Sequence, residues 1–208
     1  MQDDLAHLLY RVVISKGNRM TEEQALYKEL FTLLSRRQEA ESQHSQVLSA
    51  LAFKFREAVY QQLGFPEETF IKQPVETEAS SNAEAQREPW VRLYEYADGQ
   101  ILPATGPLLR TIREDGSLHF AIGVSLSAEL DSYPKYHFWS AYSLTISNQT
   151  HIPVLETLSG KPREYRINNT DFSVAVDDFV SDIKTALDPS SIFSAAKKSD
   201  CMGFFCSA

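Results

Sequence analysis

The chain has 208 residues, 43% hydrophobic and 23% charged, with 28 acids against 20 bases for a net charge of -8. That is length and apolar content for one sizeable soluble domain, or for a domain with a helical arm. The acidic balance argues against general nucleic-acid binding, which needs clustered Lys and Arg. Cys201 and Cys206 lie too close together to staple the fold as a disulfide framework.

The first fifteen residues carry Asp3 and Asp4 where a secretory leader carries bases, and no apolar run reaches membrane length. These features predict a cytoplasmic protein with no membrane association. Asp4 to Ser15 sets Leu5, Leu8, Leu9, Val12 and Val13 on one helical stripe, closed by Gly17. Thr21 and Gln24 form a capping box for a second helix, and neither Gly nor Pro occurs from Thr21 to Leu63. Leu26, Leu30, Leu33 and Leu34 mark one apolar cluster, and Val47, Leu48, Leu51, Phe55, Val59 and Leu63 another. Ser35 to Gln46 between them is almost wholly polar. The pattern predicts one long helix with a weak middle, on the order of 60 Å from end to end. That middle offers Arg36, Arg37 and His44 to a partner, the arginines for bidentate contacts with carboxylates.

Gly64-Phe65-Pro66 ends the helical region, and Lys72 to Pro89 reads as an acidic connector or surface loop. Trp90 to Tyr96 opens the β region, and Asp98-Gly99 supplies a turn. Leu108 to Arg113 is expected to pair with Leu118 to Ser125 across Glu114-Asp115-Gly116.

From Leu118 to Thr157 three apolar-rich runs alternate. Even positions give Leu118, Phe120, Ile122, Val124, Leu126, Phe138, Tyr142, Leu144, Ile146, Ile152 and Val154; odd positions are mostly small or polar. Since strand side chains alternate between faces, the even set is the expected core face in all three runs. Tyr165 to Ile167 adds a short strand. Asn169 or Thr170 caps a final helix, Asp171 to Leu187, with Phe172, Val176, Phe179, Val180, Ile183 and Leu187 inward. Its four aspartates read as a solvated face rather than a cation site.

The expected fold is α+β: a helical arm (1–64), a connector (65–89), an antiparallel sheet of four to six strands closed by a C-terminal helix (90–188), and a tail (189–208).

Three histidines lie in the β region. A hairpin centred near residue 131 sets His119 against Ser143 and His137 against Ser125, roughly 20 Å apart at about 3.4 Å per residue, so no three-histidine metal site forms. A second hairpin centred near Gln149 sets His151 against Ser147. His119, Ser143 and His151 would then share one end of the small-residue face, where they could hold an anion or supply a base. Ala121, Gly123, Ser125, Ala141 and Ser143 form a shallow trough bordered by Trp139. It is either covered by the final helix or open as a groove. Gly123-Val-Ser125-Leu-Ser127 misses the nucleophile-elbow pattern, because its last glycine is absent and no helix follows.

No catalytic residue, metal or cofactor is assigned. The expected function is non-enzymatic binding of a protein partner, of adaptor, chaperone-like or inhibitor/immunity type, through the arm and the polar sheet face, with a homodimer through the arm as one form. The alternative is a small-molecule or nucleotide-processing enzyme using His119 and His151.

Overall fold

The computed structural model describes residues 22–65, 69–71, 87–104, 112–126, 135–146, 150–188 and 203–207, with the backbone alone at 22–23, 69–71, 87, 135 and 203–207. The helix predicted at Asp4–Ser15 and most of the connector, Lys72 to Gln86, lie outside the described residues.

One helix, α1, spans Glu22–Leu63 without interruption. It ends at Gly64, which takes φ +64 and donates its N–H to the Tyr60 carbonyl at 3.2 Å. Glycine reaches that left-handed conformation without a Cβ penalty. The chain divides into two compact units, Met1–Gln43 and His44–Ala208.

In the first unit the described residues are helical, and every side chain from Gln24 to Gln43 is exposed. The second unit begins with the last five turns of α1. There Leu48, Leu51, Ala52, Phe55 and Val59 recur at helical spacing and are all buried.

The strands are β1 (Thr69–Ile71), β2 (Arg87–Pro89), β3 (Val91–Ala97), β4 (Gln100–Pro103), β5 (Leu118–Leu126), β6 (Lys135–Ile146), β7 (Pro153–Thr157), β8 (Glu164–Arg166) and β9 (Gly203–Ser207), with helix α2 (Ser173–Leu187) before the last. β1 and β2 pair with each other. The main sheet runs β4-β3-β5-β6-β7-β8, wholly antiparallel, and β9 joins β6 on the edge that β7 leaves uncovered. The fold is α+β, an N-terminal helix followed in the chain by an open antiparallel sheet and a C-terminal helix.

The β5–β6 hairpin has the expected register, with His119 opposite Ser143 and Ser125 opposite His137. Leu118, Phe120, Ile122, Val124, Phe138, Tyr142 and Leu144 are buried on one face. Both helices pack there. Phe55 of α1 sits 5.1 Å from Tyr142, 6.3 Å from Phe120 and 5.4 Å from Phe172 just before α2, measured between ring centroids. The edge-on packing of Phe55 on Phe120 and Tyr142 adds to the burial of those rings, and burial drives the Tyr142 hydroxyl pKa far above its ordinary value.

Three expectations need correction. The β5 partner is β3, which pairs Val91 with Val124 and Glu95 with Phe120. The 108–113 segment contributes one bridge, Ile112 to Leu118, because β3 already occupies that edge; its first four residues lie outside the described set. In the third run the phase reverses. Ile146 pairs with Pro153 and Leu144 with Leu155, so Leu155 rather than Ile152 or Val154 is the buried residue. The same one-residue shift takes His151, at φ 53 before the start of β7, out of its expected register; Ser147, its expected partner, lies outside the described residues.

The final helix also starts later than expected. Asn169 and Thr170 take positive φ values of 52 and 61, and the Asp171 carboxylate accepts the Ser173 N–H at 2.9 Å. The aspartates of α2 are not merely solvated. Tyr165 donates to Asp178 at 2.9 Å, Arg163 contacts both oxygens of Asp182 at 2.8 and 3.0 Å, and Gln62 donates to Asp177 at 3.2 Å. These bonds hold α2 to the β8 end of the sheet and to the last turn of α1.

Candidate functional site

Two surfaces carry the sequence-predicted residues, one in each unit. The first lies on the sheet face opposite the helices. Because β5 pairs with β3 and β6, this face brings together Arg92 and Tyr94 from β3, Ala121, Gly123 and Ser125 from β5, and His137, Trp139 and Ala141 from β6. The trough therefore does not receive α2, which packs on the other face.

Instead the Tyr94 ring leans over Gly123. A Cβ built on Gly123 would stand 2.6 Å from Tyr94 Cε2, so the absence of a side chain there lets the ring lie down. Tyr94, Ile101, Gly123, Ser125, His137 and Trp139 line a cavity of about 430 Å³, a volume in the range of small-ligand clefts.

Its polar groups are weakly charged. The Ser125 hydroxyl and His137 Nδ1 are 2.9 Å apart. Burial lowers the His137 pKa, against the pull of Glu88 and with the help of Arg92. Arg92 and Glu88 stand 3.8 Å apart and offset one another. Burial raises the Tyr94 hydroxyl. The Trp139 indole N–H is buried and has no acceptor among the described residues. Ser125 sits within an unbroken strand, so the geometry of a nucleophile elbow, a strand turning sharply into a helix, is absent at this serine.

At the other end of this face, His119 accepts from Arg113 Nε at 3.4 Å, and Arg113 reaches Asp98 at 3.3 Å. The His119 pKa is lowered by burial and by Arg113, with Asp115 opposing. Ser143, buried, is its cross-strand neighbour. His151 does not join them. Ser143 aligns with Glu156, and His151 lies five residues before Glu156, beyond the start of β7 at Pro153 and on the order of 15 Å along the strand direction. Among the described residues no group of three His, Cys, Asp or Glu is placed to hold a metal ion.

The second surface is the helical segment Glu22–Gln43. Leu26, Tyr27, Leu30, Phe31, Leu33 and Leu34 are 44–59% exposed, although they fall within nine residues. Tyr27 and Phe31 stack at 6.5 Å, which makes the patch continuous across one turn. Arg37 Nε donates to Glu41 at 2.7 Å, a bond that raises the arginine pKa. Arg36 is exposed and has no ionic partner among the described residues.

His44 begins the second unit and is committed elsewhere. Its Nε2 lies 2.8 Å from the Gly116 carbonyl.

The sequence identified Trp139 as a border of the trough but missed Tyr94 and Ile101, because only the β3–β5 and β3–β4 ladders bring them there. His137 and Ser125 were legible as a pair from the hairpin register. Among the described residues no helix is long and apolar enough to cross a membrane. No family model, curated protein or solved structure matches the chain.

Proposed function

We propose that this protein acts without catalysis, by binding another protein through the helical segment Glu22–Gln43, as an adaptor, chaperone-like protein or inhibitor does. The observation that supports this reading is the run of six large apolar side chains within nine residues, all open to water. Contiguous exposed apolar surface on a folded protein marks an association site more often than scattered single residues do. Arg36 at the end of the run adds a cation suited to a partner's carboxylate.

The test is a paired measurement on the wild type and on Leu30→Glu/Leu33→Glu. Complexes recovered from the native source should change in the variant, while the melting of the sheet unit stays the same. Complexes identical in the two proteins overturn the reading.

A second reading follows from the cleft between Tyr94 and Trp139. Its aromatic walls and largely uncharged lining suit a neutral, flat, apolar molecule with a few hydrogen-bonding groups. It replaces the His119/His151 site as the place for a small molecule. Titration with neutral indole and adenine, set beside indole acetate and adenosine monophosphate, tests it. Saturable quenching by the neutral pair, abolished in Gly123→Val, is the expected outcome. No binding by any of the four counts against it.

A further inference from the structure

Glu22–Gln43 carries its own complement. Leu26, Leu30, Leu33 and Arg37 follow one another at spacings of four, three and four, which is how a coiled-coil seam recurs. On a helix of 3.6 residues per turn, Tyr27 and Leu34 flank that seam on one side, and Glu29 and Arg36 flank it on the other. Glu29 and Arg36 are two turns apart, roughly 10 Å along the axis, so they cannot pair within their own helix. Neither has an ionic partner among the described residues.

We propose that two copies of this chain pair through this segment as antiparallel helices about a two-fold axis. The proposal rests on the helix-surface reading above and names the partner: a second copy. In this register Leu30 meets Leu33 of the second copy, and Leu26 lies against the stem of its Arg37, whose guanidinium is turned to Glu41. Tyr27 meets Leu34 on one flank, and Glu29 meets Arg36 on the other. The two-fold axis makes every contact twice.

Orientation follows from the flanks. Antiparallel pairing puts like flank against like flank, so apolar faces apolar and acid faces base. Parallel pairing crosses the flanks and sets the Glu29 carboxylate against Leu34. The segment from Gln24 to Gln43 also holds three bases, Lys28, Arg36 and Arg37, against three acids, Glu29, Glu39 and Glu41. Two copies therefore meet without net repulsion here, although the whole chain carries -8. The seam covers only about three turns, so the association is concentration-dependent.

Sedimentation equilibrium of the purified full chain tests this, using the wild type, Glu29→Arg, Arg36→Glu, the double swap, and Leu30→Glu/Leu33→Glu. The wild type should dimerise with rising concentration. Each single swap places like charges across the axis twice and should weaken the dimer about tenfold, the effect of losing two exposed ion pairs at once. The double swap should restore it, and the leucine variant should be monomeric with its helix content unchanged by circular dichroism. A dimer indifferent to the single swaps, or not restored by the double swap, overturns this register. A wild type that stays monomeric, while partner capture is still lost in the leucine variant, overturns self-pairing and leaves the helix surface standing. A dimer that survives in the leucine variant overturns self-pairing through this seam, and complexes unchanged in that variant overturn the helix surface as well.

Discussion

His44 Nε2 and the carbonyl oxygen of Gly116 lie 2.8 Å apart, across 72 residues of sequence. A carbonyl only accepts, so the imidazole carries its proton on Nε2 and donates it. Gly116 holds φ +81 in the turn before β5, where the Asp115 carboxylate accepts the Ser117 N–H at 2.9 Å and its hydroxyl at 2.7 Å. The start of the second unit is thus tied to the turn that launches the central strand. His44→Ala should cost about 1 kcal/mol, the ordinary net worth of one such bond. Thermal denaturation checks it, and a melting temperature equal to that of the wild type contradicts it.

Phe55 is the side chain that joins both helices to the sheet. Phe55→Ala should cost about 3–5 kcal/mol, through lost burial and the cavity left among Phe120, Tyr142 and Phe172. Val174→Ala, at an exposed position on α2, should change stability by less than about 0.5 kcal/mol. Urea unfolding of the two variants gives the comparison.

Arg163 should matter more than a surface charge. Its side chain is 26% exposed and reaches both oxygens of Asp182. Asp178, 3.8 Å away, accepts from Tyr165, whose hydroxyl pKa is pushed up to about 12, first by burial and then by that bond. Arg163→Ala should cost about 1–2 kcal/mol. A double-mutant cycle with Asp182→Asn isolates the pair; additive effects of the two changes would show that the contact contributes nothing.

Acid should destabilise the fold before its carboxylates titrate. Burial holds His119 and His137 below the ordinary 6.5, so the unfolded chain takes up these protons at a pH where the folded chain does not. Their contribution is complete above pH 6.5 and is lost as pH falls through that value towards the folded-state pKa values. Asp115 and Asp171, lowered by hydrogen bonds from Ser117 and Ser173, act in a separate window below their ordinary 3.8. The melting temperature should fall between pH 7.5 and 5.5, and His119→Asn/His137→Asn should flatten that slope. An unchanged slope in the double variant would place the acid sensitivity elsewhere.

The sequence made the β5–β6 pairing legible because both strands keep one alternation. With that register, Ser125 and His137 could be paired on paper. Strand β7 was not legible in the same way. The turn residue His151 takes a left-handed conformation, and the pairing of Ile146 with Pro153 moves Leu155 into the core. A shift of one residue reverses every side chain on a strand, and alternation within the run cannot reveal it. The cleft was half legible: Trp139 and the small floor were visible, but Tyr94 comes from a strand whose pairing with β5 is non-local. Both apolar clusters of α1 read alike in the sequence, as flanks able to bury against the sheet; Leu48 and Leu51 do so, whereas Leu26, Leu30, Leu33 and Leu34 are exposed, because helical periodicity marks an apolar face without saying what covers it.

Strand β6 has β5 along one side and β7 followed by β9 along the other. Among the described residues the six-strand path ends in β4, four residues long and ending in Pro103, and in β8, three residues long and carrying Glu164 and Arg166, while β9 forms a further edge paired only with β6. Proline cannot donate to a neighbour, and a short charged strand offers few bonds to an incoming one. Growth of this sheet by strand addition, the usual route from a β-rich fold to aggregates, is therefore obstructed at the β4 and β8 edges.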